Sequence, residues 1–284
     1  MVVSAPELSR FATATGLVLS AGREGPVYEG RPVQCLRVAA GVAPALERAL
    51  ASAGGGWGRV IARAVEAASG EHLLVLERGR ALPATATGAE ALAALGAHAA
   101  EWQERHPAAT LAETEGYRRG VLQQALRTRA EALLPGLDTD SRTVLDAELR
   151  HQGLYRFEDL PLAGSYWRSV RDFSVGCGLA DLAIPSAPIP AFWQLARMTV
   201  ELAVGADGTP DVDGYRALLS GYHRRRPLAA IERGAAPTLV RLAAFDDWLS
   251  ALENAAPGRP ERDRLAVLQA VSGRLQAIWV RAAA

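Results

Sequence analysis

Three aspartates stand among apolar residues within one short run of the chain, residues 157–183. They are Asp159, Asp172 and Asp181. An aspartate can receive a proton from a reacting hydroxyl, and its hard oxygen atoms are the ligands that Mg²⁺ prefers. The run is therefore either the charged part of an active site or the remnant of one.

Other catalytic patterns are missing from the sequence. The two cysteines form no C-x-x-C pair, and the five histidines show no zinc-type spacing. Neither G-x-S-x-G nor the dinucleotide-binding G-x-G-x-x-G occurs. All 31 basic residues counted as lysine plus arginine are arginines. This excludes a Schiff base, a catalytic ammonium and a P-loop lysine.

The composition is that of an ordinary folded protein. The 284 residues are 49% hydrophobic and 22% charged, and the formal net charge is zero, which argues against disorder and against a polyanion-binding surface. No apolar run is long enough for a membrane span, and the N-terminus lacks the order of a signal peptide. We therefore expect a cytoplasmic protein with neither a membrane nor a nucleic acid as partner, in which Cys35 and Cys177 are buried free thiols. No pattern predicts the oligomeric state.

Short apolar runs separated by glycine turns dominate the first eighty residues. They predict three strands, one helix and two further strands in an antiparallel arrangement. The helix should end at the Gly54-Gly-Gly56 stop signal. The predicted strands are 17–19, 27–28, 32–38, 60–65 and 72–77, and the predicted helix is 42–53.

The remainder of the chain has helical spacing. This change from short strand-like runs to helical spacing near residues 77–83 predicts an α+β protein with two domains, 1–79 and 80–284, and a cleft between them. The first domain should be rich in β-strands and the second mainly helical. The predicted helices are 89–105, 111–134, 138–151, 191–204, 211–222, 236–254 and 261–281.

Several stretches, taken in order along the chain, resemble one known group of proteins. The chain resembles the aminoglycoside phosphotransferase superfamily, and within it the homoserine kinase type. The resemblance implies a bilobal protein-kinase-like fold, in which a small antiparallel β lobe with one helix precedes a larger helical lobe. The stretches are Leu76-Glu-Arg-Gly-Arg-Ala-Leu82, Ala94-Leu-Gly-Ala-His-Ala-Ala100, Val170-Arg-Asp-Phe173, Asp181-Leu-Ala-Ile184, the segment from Tyr215 to Leu228 with its Arg-Pro-Leu end, and the segment from Leu239 to Leu252.

The resemblance implies a phosphotransferase that uses ATP and Mg²⁺ to phosphorylate the hydroxyl group of a small molecule. Asp159 would be the catalytic base, and Asp172, followed by an apolar Phe173, would bind the metal. Asp181 would brace the catalytic loop. Each role has an alternative, since Asp159 could be a plain turn residue and Asp172 a turn cap. A shift of one residue would place Glu158 at the base position.

The chain departs from the pattern of the family in the catalytic loop and on the third strand. Phe157 stands where the family has a histidine, and Gly164 stands where it has a metal-binding asparagine. The basic residue nearest to the position of the family's strand lysine is Arg37. Its planar guanidinium can bind phosphate, but its reach and charge distribution differ from those of a lysine ammonium. Glu47 either pairs with Arg37, as the family's helix glutamate pairs with its lysine, or faces solvent.

The remaining nucleotide contacts implied by the resemblance lie in the first domain. The turn from Gly22 to Gly25 either curls over phosphates or is an ordinary hairpin turn. Glu77 begins the segment 77–82 on the adenine side. The acceptor would lie between residues 159–164 and the helices that carry Trp193 and Trp248, two residues that are otherwise core positions. The rival hypothesis is a pseudokinase that retains the scaffold and binds a ligand or partner.

Overall fold

The computed structural model describes residues 4–22, 25–38, 43–44, 47, 59–77, 88–105, 121–155, 160–163, 166–167, 182–183, 189–254 and 258–282. It divides the chain into two compact units. One comprises Met1–Thr85 with Ser165–Ser186, and the other comprises Ala86–Gly164 with Ala187–Ala284. The sequence-based boundary between residues 79 and 80 lies outside the described residues and stays a prediction.

An antiparallel five-stranded sheet forms the centre of the first unit, in the order β1-β2-β3-β5-β4. A tight turn joins β2 to β3, where Glu29 and Gly30 both have positive φ angles of 48° and 74°. Two such residues in succession are typical of the hairpin turns whose twist matches that of the strands. The strands are β1 (Leu19–Gly22), β2 (Gly25–Tyr28), β3 (Arg31–Val38), β4 (Arg59–Val65) and β5 (His72–Glu77).

A helix that the sequence interpretation missed precedes the sheet. This helix, α1 (Ala5–Thr15), is capped at its start by Ser4, whose side chain accepts a hydrogen bond from the backbone N–H of Glu7. Gly16 ends the helix in the left-handed conformation. The N-cap serine, a proline in the first turn and the final glycine are the signals that could have predicted it.

The apolar face of α1 packs on one face of the sheet. Phe11 is 2% exposed and joins Val33, Leu73 and Val75 in a buried cluster. Because side chains alternate between the two faces of a strand, the residues that point the same way as this cluster are fixed by the strand register. The register therefore decides on which face of the sheet Arg37 and Arg63 lie.

Helices make up most of the second unit, in agreement with the prediction of an α+β protein. Helix α2 has the predicted bounds, whereas α7 begins six residues before its predicted start and continues through Pro237. The helices are α2 (Ala89–Arg105), α3 (Val121–Leu133), α4 (Thr139–Gln152), α5 (Phe192–Leu202), α6 (Val212–Arg225), α7 (Ala230–Glu253) and α8 (Arg259–Ala282).

Two glycines let α2 and α6 approach each other closely. A Cβ atom at Gly96 would lie 2.2 Å from the backbone oxygen of Leu218, and one at Gly221 would lie 1.9 Å from the backbone oxygen of Ala93. Any larger residue would therefore collide with the backbone of the neighbouring helix. Both glycines lie in stretches that carried the family resemblance, so this part of the resemblance reports how the helices pack.

The Tyr215–Leu228 stretch is also structural. Tyr222 is buried, and its hydroxyl donates a hydrogen bond to Gln103, whose amide in turn donates to the Ala191 carbonyl at 2.9 Å. Arg226 donates to the buried carboxylate of Glu232 at 2.9 Å. These bonds connect α2, α6 and α7, and burial raises the pKa of Tyr222 above its ordinary value, which keeps the phenol neutral.

Short strands lie within and just after the segment 157–183, which carries the three aspartates. Strand β6 (Leu162–Ala163) pairs with β9 (Ile189–Pro190), and β7 (Tyr166–Trp167) pairs with β8 (Leu182–Ala183). Asp172 therefore belongs to the connection between β7 and β8. Within the described part of the chain, no helix is both long enough and apolar enough to span a membrane.

His98 on α2 predicts a measurable pH dependence of stability. Burial lowers the pKa of His98 from 6.5 to about 4. Between these pH values the imidazole of His98 is protonated in the unfolded chain but neutral in the folded chain. The free energy of unfolding therefore decreases as the pH falls from 6.5 towards 4. Wild type should lose about 2 kcal/mol more stability than His98→Gln between pH 7.5 and pH 4.5. Urea unfolding at both pH values measures the difference, and equal losses in the two proteins would contradict it.

Candidate functional site

The aspartates proposed for catalysis lie outside the described residues. This holds for Asp159, Asp172 and Asp181, and equally for Phe157, Glu158 and Gly164. The described neighbours place Asp159 in the connection from α4 to β6, and Asp172 in the connection from β7 to β8. The roles of base and metal ligand therefore stay predictions.

Gly22 and Gly25 face each other across the end of the β1–β2 hairpin. Gly22 is the last residue of β1, Gly25 is the first residue of β2, and the two are register partners. The predicted strand–turn–strand arrangement is confirmed here. Phosphate binding by this turn stays a prediction, because residues 23 and 24 lie outside the described part.

Arg37 does not pair with Glu47. Arg37 instead contacts Glu71 at 3.3 Å and Glu66 at 3.9 Å. Glu47 pairs with Arg63 of β4, with Arg63 Nη1 lying 3.1 Å from Glu47 Oε2. The suggested Arg37–Glu47 pair is therefore wrong.

The strand register explains this correction. Arg37 is the partner of Leu73, a member of the Phe11 cluster, so it points to the face covered by α1. Arg63 is the partner of Leu74, which places Arg63 on the opposite face. The cation beside Glu47 thus comes from β4 and not from β3.

Glu77 closes β5 between two arginines. Its carboxylate accepts hydrogen bonds from Arg31 at 3.3 Å and from Arg59 at 3.2 Å. These contacts hold the first residue of the segment 77–82 in place. Residues 78–82 lie outside the described part, so the adenine-side role of Glu77 stays a prediction.

Trp193 and Trp248 are core residues. They are 0% and 1% exposed, which confirms the core interpretation and leaves neither indole surface open to a substrate. Trp193 packs beside Arg197, whose guanidinium carbon lies 5.9 Å from the centre of its indole ring. The suggestion that these two residues wall a substrate pocket is therefore wrong.

A groove that no sequence motif indicated lies among the helices of the second unit. Its volume is about 890 Å³, and it is bounded by α3, the C-terminal end of α4 and α7. Polar side chains from α3 and α4 meet apolar ones from α4 and α7, which is the mixture usual in ligand-binding cavities. The polar lining residues are Gln123, Gln124, Arg127, Thr128, Arg129, Gln152 and Tyr155, and the larger apolar ones are Leu126, Leu149, Leu242 and Phe245.

Arg129 is held rigidly at one side of this groove. It contacts Asp246 at 2.5 Å and Glu253 at 2.7 Å, and it also donates to the Ser250 hydroxyl at 2.9 Å. The hydrogen bonds that Arg129 donates to Glu253 and Asp246 raise the pKa of Arg129 further above its ordinary value. Four hydrogen bonds thus hold the guanidinium against α7.

The C-terminal end of α4, on the other side of the groove, is hydrogen-bonded to the buried ion pair between Glu148 and Arg241. Glu148 is 0% exposed and accepts hydrogen bonds from Arg241, at 2.6 Å and 3.2 Å, and from Gln269 at 3.1 Å. The side-chain amide of Gln152 also donates to Glu148. Gln152 therefore connects the groove to the helical core.

Comparisons with known proteins give two consistent results, although no protein-family model matches the chain. The homoserine kinase of Methylobacillus glycogenes is 32% identical over 126 residues, which cover 42% of this chain and 39% of that protein. The homoserine kinase of Methylobacillus flagellatus is 30% identical over 139 residues, 44% of this chain and 40% of that protein. The matched region thus spans about two fifths of the length of each of these relatives.

The solved structures establish the fold. A GDP complex of wild-type aminoglycoside 2'-phosphotransferase-IIIa has a TM-score of 0.50 and 11% identity, covering 90% of this chain and 93% of that one. A point mutant of this enzyme, also with GDP, has a TM-score of 0.51 and 12% identity over 92% of this chain and 91% of that one. The resemblance and the kinase-like fold predicted from the sequence are confirmed. The chain is similar in sequence to homoserine kinases over about two fifths of its length and has the fold of the aminoglycoside phosphotransferases.

Proposed function

We propose that the protein is a Mg²⁺-dependent phosphotransferase that moves the terminal phosphoryl group of ATP to a hydroxyl group of a small molecule. The observation that carries this proposal is the similarity to homoserine kinases in a chain with the aminoglycoside phosphotransferase fold. We place its activity in the cytoplasm, with a small hydroxyl compound as partner and no nucleic acid or membrane. The neutral formal charge supports this choice of partner.

In this proposal the aspartates of the 157–183 segment carry the chemistry. Asp172 would hold Mg²⁺, which neutralises charge that develops on the phosphoryl oxygens. Asp159 would receive the proton of the acceptor hydroxyl. The replacements at Phe157 and Gly164 leave these two carboxylates as the side chains in the segment with catalytic roles.

The nucleotide-side residues fit the proposed function unevenly. The backbone of the Gly22–Gly25 turn is at a hairpin end, where N–H groups can approach phosphates. Arg37 fits less well, because Glu71 and Glu66 already occupy its guanidinium. Glu47 would act only through Arg63. Glu77, fixed by two arginines, is a suitable start for the adenine-side segment.

A pseudokinase is the second candidate, and the same residues favour it. The sequence contains no lysine, and the arginine nearest to the family's lysine position is neutralised by glutamates. Each lost catalytic charge can cost about 3–4 kcal/mol of transition-state stabilisation. A protein that binds nucleotide but transfers nothing would follow from such losses.

Nucleotide binding gives the first test. At Mg·ATP concentrations about a hundredfold above Kd, the melting temperature of wild type should rise by roughly 5 °C. Asp172→Asn should remove the Mg²⁺-dependent part of this rise. Asp213→Asn is the matched control, because Asp213 is an exposed aspartate on α6 whose side chain is 84% accessible.

The outcomes separate the two candidates. The absence of any Mg·ATP-dependent rise in wild type would overturn the phosphotransferase proposal. A rise without turnover of amino alcohols, sugars or aminoglycosides would favour the pseudokinase.

A further inference from the structure

The segment 156–159, which carries both candidate bases, lies between two described ends of the chain. On its C-terminal side the chain is anchored by burial and by backbone hydrogen bonds. Leu160 is 4% exposed, the Pro161 carbonyl accepts a hydrogen bond from the N–H of Ala191 at 2.7 Å, and β6 pairs with β9. This end is therefore held by the core and by strand pairing.

The N-terminal side of the segment is much less buried. Leu154 is 81% exposed and Tyr155 is 40% exposed, and the Tyr155 ring contacts the His151 ring of the same helix end, with 4.9 Å between the ring centres. The N–H of Tyr155 donates to the Gln152 carbonyl at 3.3 Å. Because burial contributes little to holding exposed side chains, polar contacts must hold the chain where it leaves α4.

Gln123 of α3 ties this exposed end to another helix. Its side-chain amide nitrogen donates to the Gln152 carbonyl at 3.2 Å and to the Tyr155 carbonyl at 3.3 Å. One amide group thus bridges both ends of the last turn, at the C-terminal end of α4, where carbonyl groups lack partners within the helix. Asp159 is four residues after Tyr155, and four extended residues reach at most about 14 Å. The position of Tyr155 therefore limits where a base in this segment can lie.

We propose that Gln123 is a positioning residue of the catalytic segment. By fixing the exit from α4, Gln123 fixes the segment 156–159 and with it the carboxylate that receives the proton of the acceptor. This role rests on the proposed function but not on the register, because Glu158 and Asp159 both belong to the segment. Gln123 acts through the backbone and touches no reacting atom. Its loss should therefore lower kcat and leave the KM values for ATP and the acceptor unchanged.

Hydrogen exchange tests this anchor independently of activity. In Gln123→Glu the side chain keeps its shape, but at neutral pH it has no donor, and its carboxylate would face two carbonyl oxygens. The Tyr155 amide, followed by mass spectrometry in a peptide covering residues 153–160, should exchange at least about tenfold faster than in wild type. Peptides from α7 should exchange as in wild type, which shows that the variant is folded.

Two further variants separate the hydrogen bonds from other effects. Gln123→Lys restores a donor of similar reach, and a cation suits the C-terminal end of a helix, so it should recover most of the protection of the Tyr155 amide. Gln124→Glu introduces the same carboxylate one position along α3. Gln124 is exposed and donates no hydrogen bond to a described residue. Exchange of the Tyr155 amide in this control should match wild type.

Steady-state kinetics with Mg·ATP and L-homoserine test the catalytic part. Gln123→Glu should lower kcat at least about tenfold and leave both KM values within about twofold of wild type. Gln123→Lys should recover part of the rate. A raised KM for homoserine with an unchanged kcat would make Gln123 a substrate ligand and overturn the positioning role.

Two other results would also overturn the positioning role. One is wild-type exchange of the Tyr155 amide in Gln123→Glu. The other is a Gln123→Glu variant with the kcat of an active wild type, in which case the proposed function stands without this role. A wild type that phosphorylates no acceptor removes the proposed function and the catalytic role of Gln123 together, whereas faster exchange in Gln123→Glu would still demonstrate the anchor.

Discussion

Replacing Glu148 with alanine should lower the free energy of unfolding by about 3–5 kcal/mol. The substitution leaves Arg241, which is 6% exposed, as a buried charge without its carboxylate. It also removes one of the two acceptors of the Gln152 amide and one of the two acceptors of the Gln269 amide. Chemical denaturation monitored by circular dichroism measures the loss.

Two further variants separate the ion pair from ordinary loss of packing. Glu148→Met combined with Arg241→Met should recover most of the stability, because it removes both charges and retains volume. Asp213→Ala removes one partner of the exposed Arg216–Asp213 pair on α6 and should cost less than about 1 kcal/mol. A cost below about 1 kcal/mol for Glu148→Ala would show that the pair is not buried as described.

Gly221→Ala should destabilise the protein by about 3 kcal/mol, at the upper end of the range for overpacked sites. The added methyl group meets the backbone of α2 at Ala93, so α2 and α6 must move apart. A flexible side chain could rotate away from such a contact, but a backbone carbonyl cannot.

The same substitution at Gly234 provides the control. Gly234 lies on an exposed face of α7, and a Cβ atom there would have no neighbour within 4 Å. Gly234→Ala should therefore stabilise the protein by about 1 kcal/mol through helix propensity. If the two substitutions changed stability in the same direction, the close crossing of α2 and α6 would be contradicted.

Periodicity was sufficient to predict most helices of the second unit, because each presents an apolar stripe to the core at helical spacing. Pro237 made α7 harder to delimit, since proline commonly marks a helix end. The structure buries Pro237 within a helix whose surrounding side chains are in the core. Packing there outweighs the local preference.

The wrong pairing of Arg37 has a physical origin in the missed helix α1. Alternation along β3 already places Arg37 with Cys35 and Val33 on one face. Which helix covers that face depends on tertiary packing. The pairing with Glu47 was implied by the resemblance, whereas Glu66 and Glu71, the partners of Arg37 in the structure, lie in the connection from β4 to β5.

The groove illustrates what one sequence cannot reveal. Arg127 and Gln152 are ordinary polar positions in two helical patterns, and nothing in their spacing relates them. They come together only because α3 and the end of α4 pack against α7. The aspartates, by contrast, were recognised from the order of motifs along the chain, which the sequence shows directly.

Transfer of phosphate from ATP to a small hydroxyl compound is the most direct test of the proposed function. Wild type incubated with ATP, Mg²⁺ and L-homoserine should form a phosphoester detectable by mass spectrometry, and chelation of Mg²⁺ should abolish it. Asp172→Asn should reduce the rate at least hundredfold, while Asp213→Asn should match wild type. The proposed function is contradicted if folded wild type phosphorylates neither homoserine nor any amino alcohol, sugar or aminoglycoside, or if Asp172→Asn is as fast as wild type.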